Sequence, residues 1–146
     1  MTTTDTTTDT DTERIELDCT FCRLQAKALL EPIASSEHCL AFYDAYPSAP
    51  GHVLVIPRRH LGRFTELSPT ERHELFDLAD HVLAELGHAA GPDAFTIGMN
   101  DGAAAGQTVP HLHLHLIPRH HGDRENPRGG IRWVLPATAP YWQDPS

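Results

Sequence analysis

The chain has 146 residues, room for one domain with a core, and its 40% hydrophobic and 21% charged residues exclude a wholly disordered protein. Eleven Lys and Arg against 20 Asp and Glu leave a net charge of −9, which argues against a nucleic-acid polymer as partner, because such binding needs clustered cations to displace counterions. No apolar run approaches the roughly 18 residues of a membrane span, so no membrane partner is expected.

Residues 1–13 contain eight threonines, three aspartates and one glutamate after Met1. They have nothing to bury and are expected to form a disordered tail, with neither the basic nor the apolar segment of a secretory signal. A cytoplasmic location follows as the default, and three cysteines suit a reducing compartment better than a disulfide framework. Residues 14–146 are expected to be a single domain.

Leu24 to Glu31 consists mostly of helix formers and stops at Pro32, so a short helix is expected there. His38 to Tyr43 reads as a strand running into the turn-prone segment 44–51. His52 to Ile56 is almost continuously apolar before Pro57, the pattern of a central strand covered on both faces. Ser68-Pro69-Thr70-Glu71 carries a serine cap, a first-turn proline and a glutamate three residues after the cap. Leu75, Leu78, Ala79, Val82, Leu83 and Leu86 then recur on one face of a long helix ending near Gly87 or Gly91. Ala94 to Met99 reads as a strand, 100–106 as a small-residue loop, and Thr108 to Ile117 as a strand ended by Pro118. Ile131 to Leu135 completes a set of five expected strands. The order implies an α+β fold: an antiparallel sheet with one long helix packed on it.

The densest chemistry lies in Pro110-His-Leu-His-Leu-His-Leu-Ile117. Strand alternation puts His111, His113 and His115 on one face and Leu112, Leu114 and Leu116 on the other. Such a ridge of imidazoles can supply a nucleophile, a proton donor or a metal ligand, and alternation alone leaves catalysis and a metal-binding or plain polar face both open. Gln107, Thr108 and the loop backbone just ahead could hydrogen-bond a phosphate. No Walker-type glycine loop accompanies them. Cys19-Thr-Phe-Cys22 has the spacing of a zinc half-site, with two reduced, partly buried thiols as the alternative. Cys39 has no such partner and reads as a small buried residue. His38, His73, His81, His88, His120 and His121 read as surface groups.

His111-Leu-His113-Leu-His115-Leu-Ile117, with Pro50 to Pro57, Gly106-Gln107 and Ile117-Pro118-Arg119, resembles the histidine triad family of nucleotide hydrolases and transferases. The resemblance runs from about Cys19 to Trp142. It implies a sheet that continues across a homodimer, and attack on an α-phosphorus to form a nucleotidyl-histidine. Carried over residue by residue, it makes His113 the nucleophile, oriented by the His111 carbonyl, with His115 and His52 flanking the phosphate and helping to protonate the leaving group. It gives Asp44 to the ribose, Asn100, Gln107 and Thr108 to the phosphate side, and Phe42, Leu54 and Ile56 to the base pocket or simply to the core. Many bacterial-type members complete a structural zinc site from the positions matching Cys19, Cys22, His60 and His111, and all four are filled here. Dinucleoside polyphosphates are the best-matched substrates if Arg128, Arg132 and Trp133 reach distal phosphates or a second nucleoside; the tail could equally pack on the dimer partner. A nucleoside phosphoramidase or nucleotidyl transferase of the same class, and a zinc-stabilised nucleotide-binding protein without turnover, are the alternatives. Pro110 departs from the pattern, and having no N–H it is expected at an edge or bulge.

Overall fold

The computed structural model describes residues 18–89 and 91–142, so the threonine-rich segment expected to be disordered lies outside the described residues. Helix α1 (Thr20–Ala26) leads to strands β1 (Ala34–Ser35), β2 (Cys39–Tyr43) and β3 (Val53–Pro57). Helix α2 (Pro69–Ala89), strand β4 (Ala94–Gly98) and strand β5 (Leu114–Arg119) follow. The strands form one antiparallel sheet in the order β1-β2-β3-β5-β4.

The expected long helix is present and starts at its capping box. The Ser68 hydroxyl accepts the Glu71 N–H at 3.1 Å, and the Glu71 carboxylate accepts the Ser68 N–H at 2.9 Å. Leu75, Leu78, Ala79, Val82 and Leu86 are buried against the sheet, with Leu83 packed at their margin. Alternation along β2 and β3 divides the interior into two layers. Cys39, Ala41, Val53 and Val55 face α2 together with Leu112, Leu114 and Leu116. Leu40, Phe42, Leu54 and Ile56 face the opposite side, where Cys19 and Phe21 of the α1 segment cover them. β3 is therefore central and buried on both faces, as its apolar run requires.

Four expectations are corrected. The first helix lies at Thr20–Ala26 rather than Leu24–Glu31. Cys19 and Phe21 are drawn into the second layer, and the chain turns at Ala28, whose φ of 51° no helix continues through. Local propensity from Lys27 to Glu31 yields to that burial. The stretch 108–113 is not strand. There the Leu112 N–H donates to the Leu61 carbonyl at 2.8 Å, and only from Leu114 does the chain pair with β3. Pro118 does not end β5, which runs on to Arg119. The Arg119 carbonyl accepts from Asp93 on the β4 side, so by alternation Pro118 turns its missing N–H toward the side where pairing with β3 has already stopped at Leu116. Finally, Ile131–Leu135 forms no strand: Gly130–Val134 is a 3₁₀ turn, and the fifth strand is the two-residue β1.

Candidate active site and metal centre

The turn before β3 sets the first catalytic candidate. Pro50-Gly51 occupies the centre of a turn closed by the His52 N–H and the Ala49 carbonyl at 3.0 Å, and Gly51 takes the φ of 85° that such a turn demands. His52 emerges 2% exposed. Its Nδ1 accepts the Ser48 N–H at 3.0 Å, so the neutral ring carries its proton on Nε2. That Nε2–H donates to His115 Nδ1 at 2.9 Å, which leaves the His115 proton on Nε2, the outward nitrogen. Asp44 lies 3.6 Å from His52 Nε2 and accepts the Tyr46 N–H. Burial, followed by nearby imidazoles, pushes His115 down to about 4, and burial lowers His52 against the pull of Asp44. Both rings are thus neutral in the free protein near pH 7.

His113, 7% exposed, is fixed by a different backbone group. Its Nδ1–H donates to the His111 carbonyl at 2.8 Å, so Nε2 holds the free lone pair. Its ring stands edge-on to His115 at 4.9 Å between centroids and to Phe21 at 5.5 Å. The two neighbouring rings therefore present opposite functions, a lone pair on His113 and a proton on His115.

A second cluster sits beyond the triad. Cys19 precedes α1, Cys22 lies within its first turn, His60 follows β3, and His111 precedes β5. Cys22 Sγ lies 3.3 Å from His60 Nδ1 and 3.5 Å from His111 Nδ1, and Cys19 Sγ lies 3.5 Å from His111 Nδ1. Tetrahedral zinc, with Zn–S near 2.3 Å and Zn–N near 2.0–2.1 Å, sets sulfur and nitrogen about 3.5–3.6 Å apart, so the four side chains fit that ion. The His111 Nε2–H donates to the Pro57 carbonyl at 2.7 Å, which aims its Nδ1 lone pair at the sulfurs. Burial holds His111 at about 4, in the neutral form a metal ligand needs. Cys39 stands apart, buried, its thiol pushed up to about 11 by burial.

The other expected residues are distributed more widely. Asn100 lines an open cleft of about 870 Å³ that His52 and His115 also line. The Gln107 carboxamide is engaged by loop backbone: its oxygen accepts the Gly102 N–H at 2.8 Å and its nitrogen donates to the Gly62 carbonyl at 2.9 Å. Thr108 is exposed. Phe42, Leu54 and Ile56 are buried in the α1 layer. Arg128 stacks on Trp142, and Arg132 stacks on Tyr141 while donating to the Ala139 and Thr138 carbonyls, whereas Arg124 and Trp133 line the cleft. Sequence reasoning missed the Ser48 N–H, a backbone contact invisible in any motif, and Arg124, which no pattern singles out. Of the other histidines, His73, His81, His88, His120 and His121 are exposed, and His38 pairs with Glu74 at 2.9 Å.

The HIT domain model matches residues 30–122. An asymmetrical bis(5'-nucleosyl)-tetraphosphatase of Schizosaccharomyces pombe is 45% identical over 57% of this chain, which spans 46% of that protein. An adenosine 5'-monophosphoramidase of the same yeast is 33% identical over 70% of this chain and 75% of its own length. A crystal structure of a Zn-bound histidine triad family protein from Mycobacterium smegmatis superposes with a TM-score of 0.69 at 32% identity, covering 76% of this chain and 81% of that one. Further relatives come from bacteria, archaea, plants and a nematode, so the similarity is not confined to bacterial proteins.

Proposed function

The chain belongs to the HIT domain family, and from that premise we propose that it is a nucleotide hydrolase that cleaves at the α-phosphate through a nucleotidyl-His113 intermediate, with dinucleoside polyphosphates as preferred substrates. The observation that carries this reading is the pair of backbone-fixed tautomers: the His111 carbonyl holds the His113 proton on Nδ1, and the Ser48 N–H directs the His115 proton to Nε2 through His52.

In the first step the His113 Nε2 lone pair attacks the α-phosphorus. The phosphorus–oxygen bond to the leaving phosphate breaks, and the His115 Nε2–H donates a hydrogen bond to the departing oxygen, which leaves as a phosphate anion. In the second, water attacks the same phosphorus, the phosphorus–nitrogen bond breaks with His113 leaving as the neutral imidazole, and the water proton passes to solvent. Asp44 lies 3.6 Å from His52 Nε2, and its place at the site's edge suits a ribose hydroxyl. Asn100 on the cleft wall suits the phosphate side, with Thr108 nearby in sequence. Gln107 serves that side as a positioning residue, bracing the loop. Phe42, Leu54 and Ile56 support the base pocket from beneath.

Zinc on Cys19, Cys22, His60 and His111 supplies structure rather than reactivity, since four protein ligands leave no open position. That ligand set and the Zn-bound mycobacterial relative support a place among bacterial-type members. Thiolate ligands need a reducing compartment, which supports a cytoplasmic enzyme; among the described residues no helix is long and apolar enough to cross a membrane. A homodimer that continues the sheet is part of the proposal, supported by the outer position of β4 and its 44% exposed Ile97.

The monophosphoramidase relative favours a second reading, cleavage of a phosphorus–nitrogen bond. The test is to incubate the protein and its His113→Ala variant with diadenosine tetraphosphate and with adenosine phosphoramidate. Faster cleavage of the tetraphosphate, with a nucleotidyl adduct on wild type alone by intact mass, is expected. The reverse preference moves the assignment to the phosphoramidase. Equal turnover by the variant removes His113 as nucleophile, and nucleotide binding without turnover supports the non-catalytic alternative.

A further inference from the structure

Resting on that reading, we infer that Arg124 and Trp133 form a subsite for the leaving half of the substrate, one that takes a flat aromatic base attached to a polyphosphate. The cleft that these residues line also has the proton-donating His115 and its partner His52 in its wall, while the nucleophile His113 is not among its lining residues. It therefore lies on the side from which the leaving group departs.

Ile131, Val134 and Leu135 also line the cleft and are 61%, 73% and 67% exposed, an apolar strip that a polar surface segment has no need of. The Arg124 guanidinium stands 4.9 Å from the Trp133 ring centre, and among the described residues no carboxylate holds it. Arg119, the other arginine in the lining, is already held by both Asp123 oxygens at 2.7 and 2.8 Å. Arg124 is thus the cation available to distal phosphates, and the Trp133 face is the surface on which a base can stack.

The tail is held in place. The Trp133 Nε1–H donates to the Arg128 carbonyl at 2.8 Å, fixing the ring. Gly129, at a φ of 86°, passes so close beneath both indoles that a Cβ there would meet Trp142 at 3.1 Å. Ile131 packs onto Gly98 of β4, where a Cβ would lie 3.3 Å from its Cδ1. The lip is thereby docked to the strand beside the histidines.

The experiment is calorimetric binding of AMP and of a methylene-bridged, non-hydrolysable diadenosine tetraphosphate to the full chain and to its Trp133→Ala, Trp133→Phe and Arg124→Ala variants. The wild type is expected to bind the dinucleotide roughly tenfold or more tightly than AMP, as one added stacking contact with its charge-assisted neighbour supports. Trp133→Ala and Arg124→Ala each shrink that ratio, and Trp133→Phe keeps part of it. In turnover, the preference for tetraphosphate over phosphoramidate falls in the same order. Equal affinity of wild type for both ligands overturns the subsite, as does a parallel loss of AMP and dinucleotide affinity in the variants. A chain that turns over neither substrate refutes the hydrolase reading, and the binding ratio then still decides whether the subsite exists.

Discussion

Replacing Glu71 by Gln separates a charge from the capping geometry that contains it. Glu71 is 4% exposed, and its carboxylate accepts from Arg59 at 2.8 and 3.2 Å as well as from the Ser68 N–H. The glutamine oxygen can still accept the Ser68 N–H, so the substitution removes mainly the Arg59 ion pair. The Arg59 hydrogen bonds, opposed by burial and helped by Ser68, hold Glu71 at about 2, below the ordinary 4.5. A carboxyl depressed in the folded state stabilises above its unfolded value and loses that contribution as pH falls through its folded value. At about 1.4 kcal/mol per unit the depression corresponds to at most about 3.5 kcal/mol. The Arg59 side chain is 57% exposed, so solvent screening reduces the expected loss to about 1–2 kcal/mol near neutral pH. Urea unfolding of both proteins across pH measures it. The gap should be flat above about pH 5 and close as pH falls toward about 2. A gap that keeps its size in acid would mean that packing, not charge, accounts for the loss, and no gap at neutral pH would mean the pair contributes nothing.

Three further outcomes are expected. Ala28→Gly relieves a left-handed alanine at φ 51° and should raise stability by about 1 kcal/mol, read as a higher melting temperature; a decrease would mean the Ala28 methyl makes a contact worth more than the strain. The purified chain should carry one zinc, and cobalt in its place should show sulfur-to-metal charge-transfer absorption that Cys22→Ser weakens; an unchanged melting temperature on chelation with no zinc detected would remove the metal assignment. Gly129→Ala should shift tryptophan emission, because a methyl group cannot fit 3.1 Å from the Trp142 ring; identical spectra would show that the tail is looser than its packing indicates.

Where the sequence was legible, a strong local pattern coincided with a tertiary demand. The capping box and the apolar spacing of α2 needed only their own residues, and the double-sided burial of β3 followed from an uninterrupted apolar run. The histidine-leucine alternation separated core from site even though it begins before the strand: Leu112, Leu114 and Leu116 enter the α2 layer while His113 and His115 stand ring to ring outside it. The misplaced elements were decided at long range. α1 begins where Cys19, Cys22 and Phe21 meet residues from 42 to 111, and no local propensity encodes that. β1 is two residues long, too short to leave a period. The segment 130–134 has the composition of a strand but coils over the edge strand β4 through Ile131 without pairing with it. At the site, the histidines and cysteines were legible as chemical types. The choice of which nitrogen carries each proton came from carbonyls and N–H groups that every residue possesses.

His111 joins the two centres within a single residue: its ring faces Cys19 and Cys22, and its carbonyl receives the proton of His113. A shift of the His111 main chain along with its ring would move the carbonyl that fixes the His113 tautomer. Oxidation of the two cysteines to a disulfide, though it leaves His52, His113 and His115 chemically intact, would therefore be felt at the proposed site through the His111 carbonyl rather than through unfolding.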